Sequence, residues 1–132
     1  MESYLWIALG GALGSAARYG TSDLSARLFG ETFPWGTLIV NVAGSFIIGF
    51  FATITGPDGR LLVGTLQRQF VMVGICGGFT TFSSFSLQTL NLMNDGEWLY
   101  AGLNIIASVA LCLLFVWLGH AAASYLNALK WV

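Results

Sequence analysis

Charged residues are scarce in this chain, and their absence defines its class. Only 8% of the 132 residues are Asp, Glu, Lys or Arg, against about 25% in an ordinary soluble domain. The net charge of −1 offers no basic surface for a nucleic acid. A membrane span needs about 20 apolar residues, and long uncharged stretches cover 3–17, 32–57, 69–94 and 98–129. We therefore predict an all-α membrane protein with one domain, 1–132, and spans at about 4–27, 34–55, 62–93 and 98–127.

Acidic residues, histidine and cysteine are also few, and this limits the kinds of transport and catalysis that the chain could perform. We expect no acid within any span, which disfavours proton-coupled or cation-coupled transport and a cation channel with an acidic ring. His120 is the single histidine, and no catalytic triad, metal cluster or phosphate loop appears, so an enzyme is not expected. Cys76 and Cys112 have no His or acid at ligand spacing and are read as small buried residues.

The third span contains an unusual segment, GICGGFTTFSSFS, from Gly74 to Ser86. Three glycines and five hydroxyl residues weaken a helix there. Lipid cannot satisfy the backbone groups that a break frees, so broken helices persist only beside protein or a watery cavity. The segment therefore predicts a broken third helix and a permeation or binding site.

The first and second spans each carry one conspicuous polar side chain. Arg18 costs at least about 2.5–3.5 kcal/mol inside a membrane. It is either a snorkelling residue or a source of positive potential at a pore mouth. Asn41 makes either an interhelical hydrogen bond, worth about 0.6 kcal/mol in membranes, or a bond to an anion.

Side chains on the third and fourth spans suggest a path between them. Phe82 and Phe85 are three residues apart and share a helix face. Their partially positive ring edges could attract a small anion, although two core phenylalanines give the same spacing. On the fourth span a polar stripe recurs every four residues, which favours a wet path but also arises by chance in packed bundles; its members are Tyr100, Asn104, Ser108 and Cys112.

The cations give little orientation bias. Four spans place Arg60, Arg68 and Lys130 on the side of the termini, and Arg18 and Arg27 opposite. Three against two scarcely fixes a topology. Either the chain inserts both ways and pairs antiparallel, or a weak signal prevails.

A second copy is expected on two other grounds. Four helices enclose little polar interior by themselves. The glycine pairs Gly10/Gly14 and Gly74/Gly78 also permit close helix approach.

The stretch Gly77–Ser86, GGFTTFSSFS, resembles the signature GG-x-(T/S)-TFS-(T/S)-FS of the CrcB/Fluc fluoride channels. Gly10–Arg18 and Trp35–Asn41 resemble the family's first helix and its GTLxxN motif. The similarity extends over essentially the whole chain. It implies an antiparallel, dual-topology homodimer with two pores in the bacterial inner membrane. It also implies passive, selective fluoride movement that lowers cytoplasmic fluoride.

The resemblance further implies roles by position. Arg18 matches a vestibule arginine, and the backbone carbonyls of Gly77 and Thr80 match the ligands of a central sodium ion. The fluoride path is implied to include Asn41, Phe82, Phe85, Ser83, Ser84, Asn104 and Ser108. The chain departs from the family where Gln88 replaces a frequent Glu, and where Cys112 and Val116 replace Ser or Thr.

Two other functions fit the size of the chain. A small dual-topology multidrug exporter shares its span count and charge balance, but needs a membrane acid to couple protons. A non-transporting assembly subunit would use only the close-packed glycines.

Overall fold

The computed structural model describes residues 1–129 and is built from helices. Three are long and continuous: α1 (Glu2–Phe29), α2 (Trp35–Ile54) and α6 (Trp98–Leu129). The third predicted span is divided into α3 (Thr65–Gln69), a π-helical turn (Phe70–Ile75), α4 (Cys76–Phe79) and α5 (Phe82–Asn94). We call residues Thr65–Asn94 the broken segment. The predicted all-helical fold with an interrupted third helix is confirmed. Lys130 lies outside the described residues.

Among residues 1–129, three helical segments are long and apolar enough to cross a membrane: α2, the broken segment and α6. α1 is also long enough to cross a membrane, but its glycines, serines and charged residues make it less apolar than these three segments. Asp23 lies in α1, and its carboxylate is 2.9 Å from the guanidinium of Arg27. The expectation that no span contains an acid is therefore wrong for the first one. Both side chains are exposed near the end of the helix, where water can solvate them.

Hydrogen bonds hold two arginines that follow α2 against the C-terminal ends of α2 and α6. The guanidinium of Arg68 donates to the Thr55 carbonyl at 2.8 Å and contacts the Thr55 hydroxyl. A cation there complements the negative end of the α2 dipole. The N–H of Arg60 donates to Asn127 Oδ1 at 2.8 Å. The two arginines therefore lie at the end of the molecule where α2 and α6 both finish, as the span count predicted.

Glycines bring α1 into backbone contact with the broken segment. A Cβ added at Gly74 would lie 2.9 Å from the Cα of Gly10, and one at Gly78 would lie 2.6 Å from the Gly11 carbonyl oxygen. A Cβ added at Gly14 would likewise lie 2.8 Å from the backbone nitrogen of Phe79. The predicted close approach is confirmed, but it joins two helices of one chain. These glycines are therefore not an argument for a dimer.

Candidate functional site

A groove of about 430 Å³ lies beside the break in the broken segment, between α2 and α6. Its apolar walls include the rings of Phe82 and Phe85. Five polar residues also line it: Asn41, Ser45, Thr80, Thr81 and Ser108. A mostly apolar cleft with a few convergent polar groups is the usual form of a small-ligand site.

The break itself consists of Thr80 and Thr81, which adopt extended backbone conformations. The Thr80 hydroxyl donates to the Cys76 carbonyl at 2.8 Å, at the end of α4. The Thr81 hydroxyl accepts from the N–H of Ser84 at 3.1 Å and so forms the N-cap of α5. The extended backbone of Thr80 and Thr81 ends α4 at Phe79, and the Thr81 cap begins α5 at Phe82.

Asn41 holds the break from α2. Its Nδ2 donates to the Thr81 carbonyl at 3.0 Å, and the Thr81 N–H donates to its Oδ1 at 2.7 Å. One amide side chain thus satisfies both backbone groups of Thr81, which would otherwise be costly at membrane depth. An amide nitrogen carries two hydrogens, so one N–H of Asn41 remains available at the groove.

The break removes the helical donors of several carbonyls, among them those of Gly77 and Thr80. In a continuous helix the N–H groups of Thr81 and Ser84 would bond to the carbonyls of Gly77 and Thr80. Here they bond to Asn41 Oδ1 and to the Thr81 hydroxyl instead. The Gly77 and Thr80 carbonyls are therefore candidate oxygen ligands for a hard cation. Within residues 1–129, no group of three His, Cys, Asp or Glu side chains could hold a metal.

Arg18 contacts the same segment from α1. Its Nε donates to the Gly78 carbonyl at 3.0 Å. That carbonyl would bond to the N–H of Phe82 in a continuous helix, so the guanidinium supplies a donor on the far side of the break. Arg18 does not line the groove.

The two phenylalanines are neighbours, as their spacing predicts. Their ring centroids are 5.4 Å apart and the ring planes are inclined at 52°. Their environments differ greatly, because Phe85 is 8% exposed and Phe82 is 77% exposed. Phe85 is therefore part of the core, whereas Phe82 projects from the surface of the single chain.

The polar stripe on α6 is divided between the groove and the core. Ser108 lines the groove, but Asn104 lies behind it and is only 1% exposed. Asn104 Nδ2 donates to the Thr89 hydroxyl at 2.9 Å, and the Ser108 hydroxyl donates to Asn104 Oδ1 at 3.3 Å. Thr89 was not singled out from the sequence, since one hydroxyl on a helix gives no periodic signal.

The groove therefore collects only part of the predicted set: Asn41, Gly77, Thr80, Phe82, Phe85 and Ser108. The predicted hydroxyls of Ser83 and Ser84 do not line it. The Ser83 hydroxyl is 3.3 Å from that of Thr81. Thr81 and Ser45 line the groove but were not predicted individually. Thr81 belongs to the recognised motif, so the composition of the motif contained that signal.

Comparison with known proteins gives one consistent result. A family model described as CrcB-like protein, Camphor Resistance (CrcB), matches residues 5–120. A protein of Opitutus terrae named fluoride-specific ion channel FluC is 67% identical over 130 residues, covering 98% of both chains. Proteins of the same name from Methylocella silvestris and Paramagnetospirillum magneticum are 59% and 61% identical, covering 96% of this chain and 97% and 99% of their own lengths. The chain belongs to the CrcB-like family.

Proposed function

We propose that this chain is the subunit of a passive, fluoride-selective ion channel that lowers cytoplasmic fluoride across a bacterial inner membrane. The observation that carries the proposal is the groove beside the helix break. Relatives that align with nearly the whole chain are named fluoride-specific ion channels, and the residues that line the groove suit a small anion.

The groove offers replacements for the water around fluoride. Fluoride is small and strongly hydrated, so a selective path must present closely spaced donors. The second N–H of Asn41 and the hydroxyl of Ser108 are such donors on opposite helices. The ring edges of Phe82 and Phe85 add partial positive charge without a full cation that would hold the ion. Larger halides gain less from the same donors.

A second copy of the chain is proposed to cover the break. Phe82 is 77% exposed in the single chain, and a Cβ added at Gly77 would meet nothing within 4 Å. Broken backbone cannot face lipid, so this surface requires a protein partner. The near balance of cations between the two ends suits an antiparallel, dual-topology homodimer in which α1 supplies a fourth span.

A sodium ion is proposed to join the two copies. The break leaves the Gly77 and Thr80 carbonyls without their helical donors, and carbonyl oxygens are ligands that hard cations accept. Two copies would contribute four such oxygens. The ion would supply structural charge compensation for these carbonyls, and fluoride would not pass through it.

The two alternative functions are less well supported. A proton-coupled exporter needs an acid in the translocation path, and none lines the groove. An assembly subunit needs no lined groove, and the relatives described above are named as channels.

Fluoride efflux from proteoliposomes tests the proposal. Purified protein is reconstituted in fluoride-loaded vesicles, a potassium gradient with an ionophore sets the voltage, and a fluoride electrode records efflux. We expect rapid fluoride release and no chloride release from matched vesicles. Fluoride efflux no faster than from empty vesicles, or equal release of both halides, would contradict the proposed function.

A further inference from the structure

A buried chain of hydrogen bonds connects the carbonyl of Phe85 to the groove. The Thr89 hydroxyl donates to the Phe85 carbonyl at 2.7 Å and accepts from Asn104 Nδ2 at 2.9 Å. Asn104 Oδ1 then accepts from the Ser108 hydroxyl at 3.3 Å. Thr89, Asn104 and Ser108 are 6%, 1% and 7% exposed, so water does not compete for these bonds.

The direction of this chain is fixed at Thr89. A hydroxyl has one hydrogen, and that of Thr89 is committed to the Phe85 carbonyl. Thr89 can therefore only accept from Asn104, which holds the amide nitrogen toward α5. The amide oxygen must then face Ser108. Without the Thr89 hydroxyl, the Asn104 amide would lose the contact on α5 that sets which of its two ends faces Ser108.

The last bond of the chain is the longest. At 3.3 Å the Ser108–Asn104 contact exceeds the usual range for O–H···O bonds, whereas the other two bonds are of ordinary length. Ser108 alone among the three lines the groove. Its proton is therefore held weakly on the amide oxygen, next to the space where an anion would lie.

We infer that Thr89 is a positioning residue: it orients the Asn104 amide so that its oxygen accepts the Ser108 hydroxyl hydrogen whenever no anion is bound. The inference rests on the proposed function. When fluoride enters the groove, the Ser108 hydroxyl rotates away from Asn104 Oδ1 and donates to the anion, and it returns when the anion leaves. Asn104 stays in place because Thr89 still holds its nitrogen. Ser108 can thus alternate between two acceptors with no unpaired buried donor.

Transport by variants at Thr89 tests this arrangement. Thr89→Val keeps the shape but loses the hydroxyl, so fluoride efflux should fall about tenfold, as expected for one lost hydrogen bond. Thr89→Ser should restore efflux to within about twofold. In a Ser108→Ala background, Thr89→Val should cause no further loss, because the residues act through one another. Equal, independent losses in both backgrounds would overturn the inference.

A spectroscopic measurement keeps the inference testable where efflux is too slow to compare. The side-chain ¹⁵N–¹H resonances of Asn104 in the detergent-solubilised full chain are assigned by their loss in Asn104→Ser. They should shift in Thr89→Val without fluoride, and should shift in the parent when sodium fluoride is added, but not in Ser108→Ala. Asn104 resonances whose chemical shifts change neither in Thr89→Val nor on addition of fluoride would overturn the inference. Absence of fluoride efflux from the parent would instead contradict the proposed function, while the effect of Thr89→Val on the resonance would still be measurable.

Discussion

Asn41 and Thr81, forty residues apart, exchange two hydrogen bonds across the gap between α2 and the broken segment. The contact resembles a pair of strands in which one partner is a side chain. It fixes the height of the break relative to α2, and therefore the place where the groove has its donors.

Removal of this amide should damage both stability and transport. In Asn41→Ala the N–H and carbonyl of Thr81 lose their partner, at a cost of about 1–3 kcal/mol. We expect a lower unfolding temperature in detergent and little fluoride efflux. Asn94→Ala, at an exposed end of α5, is the control and should match the parent. Unchanged thermal stability of Asn41→Ala would contradict the proposed contact.

Two glycines three residues apart on α1 should respond differently to the same substitution. A Cβ at Gly14 would lie 2.8 Å from the N–H nitrogen of Phe79, whereas one at Gly11 meets nothing within 4 Å. Gly14→Ala should therefore separate α1 from the broken segment and destabilise the protein by about 1–3 kcal/mol. Gly11→Ala should be neutral or slightly stabilising. Thermal unfolding of the two proteins compares them directly, and equal values would argue against the packing described.

The two phenylalanines should separate transport from stability. Phe82 is largely exposed and Phe85 is buried. Phe82→Ile should lower fluoride efflux by roughly threefold to tenfold through loss of the ring edge, with a smaller fall in unfolding temperature than Phe85→Leu because it leaves no space within the subunit core. Phe85→Leu should lower both quantities, because it also leaves space in the core. Full fluoride efflux in both variants would remove the proposed role of the rings.

Substitutions at Arg18 can distinguish the role of its hydrogen bond to Gly78 from the role of its positive charge. Arg18→Lys keeps the positive charge but loses the Nε that donates to Gly78. We expect lower stability and slower fluoride efflux, since the two cations are not interchangeable at a directed hydrogen bond. If Arg18→Lys transports like the parent while Arg18→Met does not, the positive potential is what matters and the contact is dispensable.

The sequence predicts those features of the fold that depend on local composition alone. Glycines and threonines inside an apolar stretch weaken a helix wherever they occur, so the break near Thr80 was predictable. The partner of Asn41 was not, because a contact over forty residues depends on how α2 packs. The period-four stripe on α6 likewise left open which way Asn104 faces, and the structure places it in the core. Asp23 departs from the expectation because only the first part of that span, residues 3–17, is uncharged.

The empty space around Gly77 makes this position a direct reporter of the assembly. A methyl group there collides with nothing in the isolated subunit, so Gly77→Ala has no steric reason to disturb the chain on its own. Any loss of oligomer in that variant would therefore be due to whatever molecule lies against Gly77 in the assembly, whereas ion flux could also change because Gly77 lines the groove. The oligomeric state of Gly77→Ala therefore reports how closely the neighbouring molecule approaches this position.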